Sequence, residues 1–174
     1  MQTLPELATL YLRHPGITKP LSESLAEAAA VCFSRHHTAP ISMEVRNESV
    51  SVTREVTWKE PDARELAAWN NQIDTTELGA CGVSLAAVES ELGLFAVSRA
   101  DVLTGADYYV AAAGTDSLEN ARRLEVSGVD RGDEGDLQKR VRLKIAQVKK
   151  PSDESAIVSV VGFRARVIRI ERVT

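Results

Sequence analysis

Apolar residues recur at every third or fourth position in three long stretches of the chain. Over residues 22–37, 74–92 and 137–149 this spacing places them along one side of a helix, and each stretch is predicted to form an amphipathic helix. Asp74 is followed three residues later by Glu77, which resembles a capping box at the start of the second helix. The apolar stripe of that helix consists of Leu78, Cys81, Leu85, Val88 and Leu92.

Six other stretches, separated by turns or helices, are predicted to form strands. The first two are rich in β-branched residues, and a short turn at residues 47–49 joins them into a hairpin. The stretch at 156–163 is almost entirely apolar, as in a central strand that is covered on both faces. The six predicted strands are residues 41–46, 50–57, 108–113, 122–128, 156–163 and 166–173.

Helices and strands in this order predict a mixed α/β (α+β) fold with a central mixed sheet flanked by helices. Residues 1–60 are predicted to form an N-terminal extension made of a helix and a β-hairpin. Residues 61–174 are predicted to form the core on which this extension packs, so that the chain makes one compact domain. Its length of 174 residues is sufficient for a domain of ordinary size.

Charge is distributed unevenly along the chain, although the net charge is only -4. Residues 1–136 contain eleven Lys and Arg against twenty-two Asp and Glu, whereas residues 137–174 contain ten against three. The basic helix at residues 137–150 is therefore either a contact surface for the phosphates of a nucleic acid or a solvated outer face. The acidic N-terminal part is a candidate docking surface for a protein partner.

Nothing in the sequence pattern indicates export or membrane insertion. The first residues lack a basic segment followed by an apolar one, and no stretch approaches the roughly 18 apolar residues that span a bilayer. Cys32 and Cys81 both lie within apolar helical stretches and are predicted to be buried, reduced thiols. We therefore expect a cytoplasmic protein that contacts no membrane.

Several common chemistries lack their residues in this chain. It contains no glycine-rich loop of the Walker or dinucleotide-binding type, no Cys-x-x-Cys and no His-Glu-x-x-His. All three histidines precede residue 38, and the adjacent His36 and His37 have poor geometry for binding one metal ion. Aromatic residues make up only 5% of the chain, which argues against a base-stacking surface.

Acidic residues on two neighbouring predicted strands are the strongest candidates for chemistry. If the intervening loop closes an antiparallel hairpin, Asp107 lies opposite Val126, and a shift or bulge of one residue places it opposite Glu125. Two carboxylates at so short a distance repel each other unless a cation lies between them, and Mg²⁺ accepts carboxylate ligands. On the flanking helices, Glu77 and Lys144 each lie roughly 60° from the centre of the apolar stripe, so both can reach the edge of the sheet.

A helix with an acidic residue, strands that carry Asp and Glu, and a following helix together resemble the core of the PD-(D/E)xK, or restriction-endonuclease-like, nuclease superfamily. The resemblance covers about residues 75–163. It implies a restriction-endonuclease-like core in which Asp107 and Glu125 bind Mg²⁺ or Mn²⁺. It also implies that Glu77 is the acid of the first core helix, where it orients water or metal.

The chain departs from that family at the motif lysine, which orients the attacking water and offsets charge in the transition state. Ser127 occupies this position, two residues after Glu125, and a hydroxyl does not supply the missing charge. Ser127 is nevertheless one of the candidate catalytic residues. Lys144, or Lys139 on the same helix, is the candidate substitute for the motif lysine. The candidate contacts to nucleic acid are Lys139, Arg140 and Gln147.

Each acidic residue also has a purely structural explanation. Glu77 is a favourable residue in the first turn of a helix, and Asp107 is a favourable residue in a turn before a strand. Glu125 can form an ion pair with an arginine on a neighbouring strand.

The first candidate function is divalent-metal-dependent hydrolysis of nucleic acid phosphodiesters. The second is a catalytically inactive, nuclease-fold accessory or interaction subunit of a prokaryotic multi-component system. The third is a regulatory module that binds a small anionic ligand at the basic helix.

Overall fold

The computed structural model describes residues 2–102, 104–115, 118–149 and 155–174. Within these ranges the chain forms four α-helices and eight strands, and the segment Leu7–Leu12 forms a 3₁₀ helix. The helices are α1 (Lys19–Ser34), α2 (Ala63–Ala68), α3 (Gln72–Leu92) and α4 (Glu134–Lys149). The strands are β1 (Gln2–Thr3), β2 (Ile41–Asn47), β3 (Val50–Val56), β4 (Leu94–Arg99), β5 (Tyr108–Ala112), β6 (Arg122–Val129), β7 (Ala156–Gly162) and β8 (Val167–Val173).

The eight described strands make one mixed sheet in the order β1-β3-β2-β8-β7-β6-β5-β4. Strands β4, β5 and β6 are antiparallel, β6 and β7 are parallel, and β7 and β8 are antiparallel. The hairpin of β2 and β3 joins the same sheet because β2 pairs in parallel with β8. The prediction of an α/β fold with a central mixed sheet flanked by helices is confirmed.

The region around α3 differs from the sequence-based prediction in two respects. The helix begins at Gln72, and its N-cap is Asn71, whose side chain accepts hydrogen bonds from the backbone N–H groups of Ile73 and Asp74. The expectation that Asp74 caps this helix was therefore wrong. Strand β4 was not predicted, because its apolar residues follow those of α3 after the single residue Gly93, whose left-handed conformation ends the helix.

Helices cover both faces of the sheet, and the alternation of residues along β6 relates the two layers. Leu124 and Val126 belong to the larger apolar core, which also contains residues of α1 and α3. Glu125 and Ser127 lie on the opposite face of the strand, toward α4, because successive side chains alternate. Strand β6 therefore presents an apolar row to one helix layer and a polar row to the other.

Helix α3 lies close to the backbone of strand β6 at Gly128. A Cβ atom at this position would lie 2.6 Å from both the Cγ2 atom and the carbonyl oxygen of Thr76. We expect Gly128→Ala to lower the free energy of unfolding by about 1–3 kcal/mol, because α3 must shift to admit the methyl group. Urea unfolding measures this change. The control is Gly135→Ala in α4, where a Cβ atom meets only the exposed Asp133, and comparable losses in both variants would contradict the prediction.

The His14 side chain binds the backbone at the outer edge of β4. This histidine is fully buried, its Nδ1 atom accepts a hydrogen bond of 2.9 Å from the Ala96 N–H, and its Nε2 atom lies 3.0 Å from the Glu89 carboxylate. Because Nδ1 is the acceptor, Nε2 carries the proton and donates to Glu89. Burial lowers the pKa of His14, and Glu89 offsets this only in part.

The lowered pKa of His14 predicts a dependence of stability on pH. Between the folded pKa and the unfolded value of about 6.5, the unfolded chain binds more protons than the folded protein. We therefore expect the free energy of unfolding to fall as the pH decreases from about 7.5 to about 5.5. His14→Gln, whose side chain does not titrate, is expected to show a smaller fall in urea unfolding at the two pH values. An unchanged fall in this variant would contradict the prediction.

Candidate functional site

A cleft lies at the start of strand β5, where strand β6 extends beyond the residues that pair with β5. Pairing between these strands starts at Tyr108 and Leu124, and residues 125–129 of β6 continue in register with β7. The cleft has a volume of about 370 Å³ and lies between the first half of α3, the start of β5 and the middle of α4. Its lining residues are Asp74, Glu77, Leu78, Cys81, Arg99, Asp107, Glu125, Val126, Ser127, Arg140 and Lys144.

Asp107 lies directly before β5 and is held by both neighbouring strands. Its backbone N–H donates to the Leu124 carbonyl at 2.8 Å, and its own carbonyl accepts from the Ala100 N–H at 3.0 Å. One carboxylate oxygen accepts a hydrogen bond of 2.8 Å from the Val126 N–H. Because Tyr108 pairs with Leu124, the antiparallel register continued by one residue places Asp107 beside Glu125. Of the two registers considered from the sequence, the structure has the one shifted by a residue.

Glu125 is a nearly buried carboxylate at the base of the cleft, and only 4% of the residue is exposed. Its Oε1 atom accepts hydrogen bonds from Lys144 Nζ at 2.5 Å and from Gln147 Nε2 at 3.1 Å. Burial raises the pKa of Glu125, the hydrogen bond from Lys144 lowers it, and the neighbouring Asp107 carboxylate raises it again, with a net increase. The two acids therefore form a close pair, and a neighbouring cation reduces the repulsion between them.

Helix α4 supplies that cation in the present arrangement. Lys144 contacts Glu125 and also donates to the Gln147 side chain at 3.2 Å. Arg140 lies one turn before Lys144 on the same side of the helix and lines the cleft, where its side chain is exposed. The face of α4 that is directed toward the sheet edge thus carries two cations and an amide.

Arg99, at the end of β4, is a cleft residue that the sequence analysis missed. The central carbon of its guanidinium lies 4.7 Å from the centre of the Tyr108 ring, and its Nη2 atom lies 3.8 Å from the Asp107 carboxylate. The side chain is 59% exposed, so it is accessible to a ligand. No local signal identifies Arg99, because the strand that places it beside Asp107 was itself not predicted.

Cys81 and Tyr108 are neutral components of this region. Burial raises the pKa of each side chain to about 12, so the thiol and the phenol are protonated near neutral pH. Cys81 is a buried free thiol that lines the cleft. Cys32 is also a buried free thiol, but it lies elsewhere in the core. A protonated thiol is a poor nucleophile, so Cys81 is not a candidate nucleophile.

The structure brings together most of the residues selected from the sequence. Gln147 joins them through its contact with Glu125. Lys139 does not line the cleft, because its Nζ atom pairs with the Asp136 carboxylate at 3.3 Å on the exposed side of α4. Lys150, at the end of the predicted basic helix, lies outside the described residues. The selected residues that line the cleft are Glu77, Asp107, Glu125, Ser127, Arg140 and Lys144.

Within the described ranges, no three His, Cys, Asp or Glu side chains are close enough to one another to form a metal site. Asp107 and Glu125 are a pair, and Glu77 lines the same cleft without completing a group of three. Two protein carboxylates are nevertheless sufficient for Mg²⁺, which keeps several water ligands and takes oxygen atoms from a phosphate substrate.

Comparison with known proteins returns no significant match to a family model, a curated protein or a solved structure. None of the helices in the described part of the chain has the length and apolar character needed to cross a membrane. The inference of function therefore depends on the cleft and its residues.

Proposed function

We propose that this chain is a nuclease-like protein whose cleft hydrolyses nucleic acid phosphodiesters with the help of Mg²⁺ or Mn²⁺. The observation that carries the proposal is the close pair of Asp107 and Glu125 with Lys144 in contact, in a cleft bordered by arginines. The residues that resemble the PD-(D/E)xK motif thus come from separate helices and strands and lie around one cleft. Along the chain they lie on α3, directly before β5, on β6 and on α4, and strand β4, which is not part of the resemblance, intervenes between α3 and β5.

Asp107 and Glu125 are the residues that would hold the metal ion. Both are oxygen ligands, both are fixed by hydrogen bonds, and their mutual repulsion favours a divalent cation between them. When bound, the ion would act as a Lewis acid on the phosphoryl group. Glu77, on the helix across the cleft, orients water beside this pair.

Lys144 takes the role that the motif lysine has in the family, while Ser127 offers only a hydroxyl group. The Lys144 ammonium contacts Glu125 and lines the cleft, so it lies within the space that a substrate would enter. There it stabilises negative charge that develops in the transition state. Arg99 and Arg140 bind the phosphates on either side of the cleavage position, because guanidinium groups form two hydrogen bonds with phosphate oxygens.

A second function is favoured by one specific observation. The Glu125 carboxylate already has two partners, Lys144 and Gln147, so the site is complete as a structural ion pair without any metal. In that case the chain is a catalytically inactive, nuclease-fold subunit of a prokaryotic multi-component system. The basic face of α4 then serves only to bind nucleic acid, and the acidic N-terminal part docks a partner protein. The free cysteines agree with a cytoplasmic location for either function.

Cleavage and metal binding test the two functions together. Labelled single-stranded DNA, duplex DNA and RNA are incubated with the protein in Mg²⁺, in Mn²⁺ and in a chelator, and metal binding is measured by calorimetric titration. We expect cleavage of at least one substrate that requires metal, together with binding of the ion at millimolar concentration or below. Absence of cleavage and of metal binding would contradict the nuclease and favour the inactive subunit.

A further inference from the structure

A second concave surface lies in the acidic N-terminal part and is lined by residues between positions 6 and 65. It is a groove of about 560 Å³ between α1, the start of the 3₁₀ helix and the extended segment that joins β3 to α2. This volume is in the range that accommodates a ligand or several side chains of a peptide. None of the groove residues lines the candidate nuclease cleft.

The floor of the groove is apolar and is held by ring stacking and a hydrogen bond. The rings of Phe33 and Trp58 are stacked with their centres 5.0 Å apart, and the Trp58 indole N–H donates to Ser34 Oγ at 2.7 Å. Ala26 and Ala30 on α1 add small side chains, which leave the space above them open. A preformed floor of this kind favours an apolar side chain of a ligand, because binding needs little ordering of the protein.

The rim of the groove is acidic. Four glutamates and one lysine line it, which leaves three negative charges. Within the described residues, only Glu23 has a cation in salt-bridge range, Lys19 at 3.9 Å, and Glu27 accepts a hydrogen bond of 3.0 Å from the Trp69 indole. The charged rim residues are Glu6, Glu23, Glu27, Lys59 and Glu65.

We propose that this groove binds a basic, amphipathic segment of a partner protein. An apolar side chain of the segment would enter the groove and contact Trp58, while flanking Lys or Arg residues would lie against Glu23 and Glu27. The charge complementarity of the rim selects a cationic partner over a neutral or acidic one. The inference rests on the second proposed function, in which the acidic N-terminal part docks a partner protein, and it names the surface and the chemistry of that partner.

The two tryptophans of the chain report on this surface. Trp58 lines the groove and Trp69 contacts its rim, so occupation of the groove changes the environment of both. The probe is a short acetylated and amidated peptide in which Leu and Lys are placed at helical spacing. We expect saturable quenching or a shift of tryptophan emission with this peptide. A matched peptide with Glu in place of Lys, and another with Ser in place of Leu, should produce neither.

Variants of the full chain locate the binding surface. Glu23→Gln with Glu27→Gln removes two charges from the exposed rim and is expected to weaken the Lys peptide by at least about tenfold. The matched control, Glu48→Gln with Asp101→Asn, removes two exposed charges elsewhere and should leave the affinity within about twofold. Ala26→Phe fills the groove and is expected to abolish binding, with circular dichroism as the check on folding.

Any of three results would overturn the assignment of the groove as the binding surface. These are equal binding of the Lys and Glu peptides, an equal loss of affinity in the rim and control variants, and unchanged binding to folded Ala26→Phe. Each of these results concerns the groove alone. Failure of the nuclease proposal would instead be seen as absent cleavage and absent metal binding, while the peptide titration stayed unchanged.

Discussion

Replacing Asp107 with Asn is expected to lower the rate of metal-dependent cleavage by at least about a thousandfold. The substitution removes the negative charge that would hold the divalent ion, while the Asn Oδ1 atom can still accept the hydrogen bond from the Val126 N–H. The register of β5 and β6 should therefore be preserved. Steady-state cleavage in Mg²⁺ and Mn²⁺ measures the rate, and calorimetric titration measures the accompanying loss of metal affinity.

Asp101→Asn provides the matched control for this prediction. It makes the same chemical change a few residues earlier, on an exposed side chain that does not line the cleft. We expect its cleavage rate to lie within about twofold of the wild type, because exposed single charges contribute little. A rate for Asp107→Asn within about tenfold of the wild type would contradict the assignment of Asp107 as a metal ligand.

Replacing Lys144 with Met is expected to lower the free energy of unfolding by about 3 kcal/mol. Only 5% of the Glu125 side chain is exposed, and 20% of the Lys144 side chain. Removal of the ammonium leaves the Glu125 carboxylate buried beside the like charge of Asp107, with Gln147 as its remaining hydrogen-bond donor among the contacts described. Urea unfolding near neutral pH measures the loss.

A double-mutant cycle separates the ion pair from other effects of the substitution. Glu125→Gln combined with Lys144→Met removes both charges, and we expect it to be more stable than Lys144→Met alone. The surface control is Lys139→Met, whose side chain is 76% exposed and pairs with Asp136, and it should cost no more than about 0.5 kcal/mol. If Lys139→Met and Lys144→Met have similar effects, Glu125 and Lys144 do not form a stabilising buried pair.

The helices and strands around the cleft were largely predictable, because they depend on local periodicity. The apolar stripe from Leu78 to Leu92 identifies α3, and the almost entirely apolar run at residues 156–163 identifies β7. Boundaries were less accurate where a cap or turn decides them. Asn71 caps α3 in place of Asp74, and β4 follows so directly after Gly93 that the pattern shows no break.

The candidate site was predictable as a set of residue types but not as a geometry. Glu77, Asp107, Glu125 and Lys144 were selected for chemistry and helical angle, and all four line the cleft. Whether Asp107 lies beside Glu125 depends on a one-residue difference in register, which the two strand sequences allow in either form.

Sequence alone thus determined the types of most elements, the separation of acidic and basic parts, and most of the residues that can carry chemistry. These follow from the spacing of apolar residues and from side-chain charge, which are local properties of the chain. Tertiary structure decided the register that pairs Asp107 with Glu125, the contact of Lys144 with that pair, and the entry of Arg99 from β4. Each of these contacts joins different strands or helices, and such contacts are set by the packing of the whole sheet and its helices.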